Sequence, residues 1–310
     1  MPSLFICLFL AATHLAASPV EKDGLGLPNC SNLKVSLSSI NSVEDPERYD
    51  RGELTRWFYA PSSRPQAIAL AVHGLATKPS LMNEVALLLN RNGVDVLRLG
   101  LTGHRGSAEE MAEVSRTLWL KDFFKAYCLA RSRADGLGLP LHFVGFSLGA
   151  LVGQDLLNSA GAQDVRFDSA ALFAPAIAVK PTSHLIKLFW PLSDGFVFPG
   201  VTKSKYSSRG GCTIAAYKAL FESLAHLESS NFEKSNIRTA VLIDPRDELV
   251  SPLGIKNLIR RHALTQWRFF PLHASFPHHL VVAPENLEKN EWERTESILR
   301  RVFRLKRPVP

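Results

Sequence analysis

Cysteine is scarce in this chain, with four in 310 residues, too few for a disulfide-dense scaffold. No Cys and His spacing matches a zinc site, and no glycine loop ending in Lys followed by Ser or Thr is present to cradle nucleotide phosphates. Neither a metal nor another cofactor is therefore expected. Internal repeats and low-complexity tracts are also missing, which excludes a solenoid or a linker-rich protein. Basic residues outnumber acidic ones to give a net charge of +7, yet no stacking aromatics interleave with them, so nucleic acid is not an expected partner. What the chain has is apolar content. With 46% hydrophobic and 21% charged residues, it suits one large α/β domain with an insertion better than two independent domains.

Apolar runs of strand character alternate with segments of helical period. Ala67 to Val72, Val94 to Leu99, Leu141 to Val144, Thr239 to Ile243 and Trp267 to Leu272 read as strands. Leu81 to Asn90, Trp119 to Arg133 and Leu253 to Arg261 read as helices. This alternation predicts a mostly parallel sheet flanked by helices.

Gly145-Phe146-Ser147-Leu148-Gly149 stands between one of these strands and a helical run, Ala150 to Leu157. A G-x-S-x-G segment in that setting is a strand-to-helix elbow, whose glycines allow the sharp turn that presents a serine Oγ above the sheet. A nucleophilic serine needs a base, an acid to orient the base, and amides to stabilise an oxyanion. Upstream, the strand ending at Val72 runs into His73-Gly74-Leu75, where the N–H of Leu75, with that of Leu148, can point at one developing negative charge. His73 is then structural and holds the loop.

Downstream, the strand Thr239 to Ile243 empties into a loop with Asp244, Asp247 and Glu248. Asp247 is the preferred acid, because Val250 and Pro252 anchor the loop behind it, and Asp244 is the second choice. The strand Trp267 to Leu272 is followed by His273, His278 and His279. His278 is the first choice for the base, His279 the alternative and His273 the third, since the adjacent pair precedes the apolar run from Leu280. Serine, acid and histidine thus occur in chain order, each just beyond a strand end.

Taken together these residues resemble the α/β-hydrolase superfamily, over about residues 50 to 305. His73-Gly74-Leu75, the serine pentapeptide and Asp247 to Pro252 resemble its serine-aminopeptidase and lysophospholipase-like branch, which includes monoacylglycerol lipases and small carboxylesterases. The resemblance implies an α/β-hydrolase fold with a cap insertion and hydrolysis of lipid-like or small acyl esters through Ser147, Asp247 and His278 and an acyl-enzyme, without metal. An acyltransferase or thioesterase on the same triad, or a noncatalytic binding protein, is the alternative. The sequence departs from the branch at Gly100 to Ser107, which lacks the aspartate common there, and at the acid strand, which lacks the glycine that often precedes the aspartate.

The cap is expected at about 176 to 236, where strand and helix alternation stops and aromatic residues accumulate, with Tyr217 and Phe221 on a helical segment Thr213 to Leu224. Residues 1 to 18 resemble a secretory signal peptide, an apolar run too short for a membrane span followed by Ala16-Ala17-Ser18, and imply a secreted or periplasmic location for the domain 19 to 310. No Lys or Arg precedes that run. Of the cysteines left, Cys128 falls on an apolar helical face, while Cys30 and Cys212, in loop-like sequence, are the pair open to a disulfide. The tail from Arg300 to Arg307 mixes cations with Val302, Phe303 and Leu305, a composition suited to peripheral membrane contact.

Overall fold

The computed structural model describes residues 25–41, 50–62, 64–106, 108–159, 161–162, 164–199, 205–208 and 211–306. The expected signal peptide therefore lies outside the described residues. Seven strands form one sheet: β1 (Arg56–Phe58), β2 (Ala67–Val72), β3 (Val94–Leu99), β4 (Leu141–Phe146), β5 (Ser169–Phe173), β8 (Arg238–Ile243) and β9 (Trp267–Pro271). Their order is β1-β3-β2-β4-β5-β8-β9, and every pairing is parallel except that of β1 with β3. Strands β2 to β5 are buried along their whole length, as expected for a sheet covered on both faces. This is why β2 is a continuous apolar run; in β3 the two charged residues are buried with partners, Asp95 on Arg133 and Arg98 on Asn83 and the Gly52 and Leu54 carbonyls.

The helices are α1 (Leu37–Ile40), α2 (Asn83–Arg91), α3 (Ala108–Ala112), α4 (Arg116–Leu137), α5 (Leu148–Asn158), α6 (Ile214–Glu228), α7 (Pro252–Arg261) and α8 (Glu291–Phe303). Helix α4 starts where the Ser115 side chain accepts the Leu118 N–H, and it stops at Gly138, whose φ of 63° closes the helix in the left-handed region. Two strands of this sheet, β1 and β5, are not among those read from the sequence. Ser169–Phe173 contains two alanines and a serine in five residues, a weak β-former whose place is set by neighbours on both sides.

The described part of residues 176–236 adds no strand to the large sheet. It holds a 3₁₀ helix (Pro181–Phe189), a two-stranded ribbon of β6 (Val197–Pro199) and β7 (Gly211–Thr213), and α6. Tyr206 to Ser208 run beside the loop after β2, with Lys78 N–H donating to the Tyr206 carbonyl at 2.8 Å and Ser208 N–H to the Ala76 carbonyl at 3.0 Å.

The cysteine pairing differs from the expected one. Cys30, in a short 3₁₀ turn, is bonded to Cys128 on α4, and Cys212 is a free buried thiol in β7. The N-terminal segment lies across α4, so the face of that helix carrying Cys128 meets it rather than the insertion. Burial pushes the Cys212 thiol up, which leaves it protonated and unreactive. The disulfide joins positions separated by 98 residues, and closing so long a loop constrains the unfolded chain strongly. Changing both Cys30 and Cys128 to Ser is expected to cost about 3 kcal/mol, read as a lowered urea midpoint with a steeper slope, because the unfolded chain freed of the cross-link exposes more surface.

The C-terminal residues also differ from expectation. Val302, Phe303 and Leu305 are buried, and the Phe303 ring stacks on His142, so these side chains are not available to a membrane. No helix among the described residues is long and apolar enough to cross one.

Candidate active site

Ser147 joins β4 to α5 with φ 49° and ψ −112°, a conformation rare for a residue with a Cβ. Its neighbours hold it there. The Ser147 N–H donates to the Phe173 carbonyl at 2.9 Å, and the Ser147 carbonyl accepts from Leu151 at 3.2 Å and Ala176 at 3.1 Å. A Cβ on Gly149 would sit 2.4 Å from the Val72 carbonyl oxygen, so glycine is what lets α5 start against the end of β2. Leu148 is the first residue of α5, one of the four whose N–H groups have no partner inside the helix.

The loop after β2 is fixed through one carbonyl. Leu101 N–H donates to His73 Nε2 at 3.1 Å, so the His73 proton is on Nδ1, which donates to the Gly74 carbonyl at 2.8 Å. The Thr77 hydroxyl donates to the same oxygen at 2.8 Å. Because the Gly74 carbonyl and the Leu75 N–H belong to one planar trans peptide, pinning the oxygen aims the amide the opposite way. The next amide, of Ala76, donates to His104 Nε2 at 3.2 Å. Burial, with His104 beside it, holds His73 well below the usual histidine range, and burial lowers His104 to about 4. Both rings are therefore neutral, which the acceptor role of each Nε2 requires. Changing His73 to Ala removes its bonds to the Leu101 N–H and the Gly74 carbonyl and leaves Thr77 alone on that oxygen. It is expected to lower the turnover of any reaction that uses the Leu75 amide by about 100-fold, and stability by about 2 kcal/mol.

Asp247 and His279 complete the cluster. His279 Nε2 lies 2.9 Å from Ser147 Oγ, and His279 Nδ1 lies 2.8 Å from Asp247 Oδ2. The other carboxylate oxygen of Asp247 accepts from the N–H groups of Leu249 and Val250, each at 2.8 Å. Burial alone would raise the Asp247 pKa, but the adjacent His279 and these amides hold the carboxyl below its ordinary value, so it stays ionised while fully buried. Asp244 does a different job: it accepts from the side chain and backbone N–H of Arg246 and from Ala274 N–H, tying two loops together.

The structure thus brings together Ser147, Asp247, Leu75 and Leu148 but not His278. The ring of His278 faces Glu248, with Nδ1 2.6 Å from Oε1, while His273 pairs with Glu291 at 2.9 Å. The first choice of histidine is corrected to His279. The rings of these two neighbours point to different carboxylates, Glu248 and Asp247, and His279 is the one next to the buried run Leu280 to Ala283. That adjacency was visible in the sequence.

The cluster opens into a cavity of about 270 Å³. Leu75, Val179, Ile186, Tyr217, Leu220 and Phe221 supply apolar walls, and Ser147 and His279 lie on its surface. Tyr217 and Phe221 therefore line the same cavity as the serine, whereas Phe196 and Val197 of the same insertion are exposed and do not line it.

The serine aminopeptidase S33 model, Hydrolase_4, matches residues 63–201. A soluble variant of monoglyceride lipase from Saccharomyces cerevisiae in complex with a substrate analog is similar in structure, at a TM-score of 0.68 and 12% identity, over 85% of this chain and 96% of that one. One of two metagenome-derived lipolytic enzymes, LipS and LipT, is similar at 0.63 and 19% identity, over 82% and 98%. A monoacylglycerol lipase of Paleococcus ferrophilus is similar at 0.58 and 14% identity, over 81% and 98%. No curated protein matches the sequence.

Proposed function

The chain has the α/β-hydrolase fold, and from that premise we propose that it is a serine hydrolase of carboxylic esters, with Ser147 as nucleophile, His279 as base and Asp247 as orienting acid. The observation that carries the reading is the pair of contacts at the two ring nitrogens of His279, 2.9 Å to Ser147 and 2.8 Å to Asp247. In the first half, Ser147 Oγ attacks the ester carbonyl while His279 Nε2 takes its proton. The oxyanion of the tetrahedral intermediate receives hydrogen bonds from the Leu75 and Leu148 N–H groups. As the carbonyl re-forms, the carbon–oxygen bond to the alcohol breaks and His279 returns the proton to that alcohol. In the second half, His279 deprotonates water, which attacks the acyl-serine ester and releases a carboxylic acid and Ser147. Asp247 keeps Nδ1 protonated and balances the imidazolium throughout.

The apolar walls of the cavity support an acyl group of hydrocarbon character. Leu185, Leu188 and Phe189 of the insertion are exposed beside it and favour lipid-like esters presented at a surface. The Cys30–Cys128 bond supports a secreted or periplasmic location, where disulfides persist. Hydrolysis of p-nitrophenyl esters from acetate to palmitate tests the function. Turnover with an optimum at intermediate chain length, abolished in Ser147→Ala, is the expected result. Turnover undiminished in Ser147→Ala would refute the role given to the serine.

A further inference from the structure

Asp247 and Glu248 are consecutive, as are His278 and His279, and the two pairs meet side by side. Asp247 takes the ring of His279, as described. Glu248 takes the backbone: Oε1 accepts the His278 N–H at 2.9 Å, and Oε2 accepts the His279 N–H at 3.1 Å. Two successive amides converging on one anion form a concave anion site made of main chain. The side chain of Glu248 is 28% exposed, so the carboxylate fills this site from the solvent side rather than from the core. Residues 275 to 280 belong to no helix or strand, so their N–H groups depend on such partners. Asn286 holds other parts of the same loop, its Nδ2 donating to the Ser275 and Pro277 carbonyls at 3.0 and 2.9 Å. Those bonds leave the amides of His278 and His279 to Glu248.

We propose that Glu248 is a positioning residue for the base, its carboxylate forked across the His278 and His279 N–H groups so that the His279 ring spans Asp247 and Ser147. The inference rests on the reading of His279 as the base. The ring nitrogens of His279 make contacts at 2.8 and 2.9 Å in opposite directions, so a backbone shift of about 1 Å breaks at least one of them. Misplacement on that scale costs about 100-fold in rate, though substrate still binds in the cavity. The chain divides the task between neighbours: residue 247 sets the ring and residue 248 sets the main chain that carries it.

The test compares Glu248→Ala, Glu248→Gln and His278→Ala in the full chain. Glutamine keeps the shape, but its amide has one acceptor oxygen, and its NH₂ would face the second N–H. The expected kcat is about 100-fold lower in Glu248→Ala and about 10-fold lower in Glu248→Gln, with KM within about twofold of the parent in both. His278→Ala keeps both amides on Glu248 and is expected within about threefold of the parent. Independently of turnover, the downfield Nδ1 proton of His279 is followed by NMR in histidine-labelled protein, assigned by its loss in His279→Ala. It is expected to broaden or shift in both Glu248 variants and to stay sharp in His278→Ala. The glutamine variant carries the test where the alanine variant fails to fold. An unchanged resonance with parental kcat in Glu248→Gln overturns the proposal. So does a loss in His278→Ala equal to that in Glu248→Ala, which would place the effect in the ring pair. A parent without esterase activity would count against His279 as base of an esterase, and the NMR comparison would still decide what Glu248 holds.

Discussion

Changing His279 to Ala is expected to lower kcat for ester hydrolysis on the order of 10⁴-fold or more, while His278→Ala, one position away, stays within a few fold. The contrast follows from where the two rings sit. His279 Nε2 is at hydrogen-bonding distance from Ser147 Oγ, and without it no group takes the serine proton or returns it to the leaving alcohol. The oxyanion amides remain in His279→Ala, which is why a residue of activity over the uncatalysed reaction is expected rather than none. The His278 ring pairs with Glu248 and meets the edge of Phe276, and none of the three lines the cavity. Steady-state kinetics with one p-nitrophenyl ester, both variants beside the parent, measures the difference. Equal losses in the two variants would contradict the assignment.

Gly149→Ala is expected to have the largest effect on stability of any single methyl group added at the elbow. The new Cβ would stand 2.4 Å from the Val72 carbonyl oxygen and 2.6 Å from that of His73, closer than any real Cβ contact. Both partners are main chain at the end of a central strand, so neither can swing aside as a flexible side chain would. Relief requires α5 to back away from β2, at about 3 kcal/mol or more, seen as a melting temperature lower by about 6–12 °C. The same movement separates the Leu75 and Leu148 amides, so the folded fraction is also expected to lose turnover. A thermal melt together with kcat per folded molecule distinguishes the two effects. A melt within 1 °C of the parent's would mean that the elbow is looser than these contacts imply.

The central sheet was legible in the sequence because its strands are buried on both faces. Ala67–Val72 and Val94–Leu99 have the bounds their apolar runs predict, and the helices around them follow their period. The edge strand β1 is only three residues long, half-exposed and antiparallel, so it lacks the largely apolar run that marks β2, β4 and β8. The serine elbow and the Asp247 loop were legible for a related reason, since their geometry is built from local glycines, Val250 and a proline. Choosing between His278 and His279 was harder, because it depends on which way a turn without regular secondary structure rotates. The run Leu280 to Ala283 beside His279 is a local sign of it, whereas the long-range bonds to Glu248, 30 and 31 residues earlier, are announced by no local pattern. The disulfide is hidden for the same reason: Cys128 reads as one more apolar position on α4, and only the N-terminal segment crossing that helix brings Cys30 to it.

The most direct test of the central claim is covalent labelling with a fluorophosphonate, which reacts with a serine only when a base has activated it. The adduct is located by mass spectrometry in the parent, Ser147→Ala and His279→Ala proteins. A single adduct on the peptide containing Ser147, absent from Ser147→Ala and formed far more slowly in His279→Ala, is the expected result. An adduct on another residue, or labelling of Ser147 at the same rate without His279, would contradict the account.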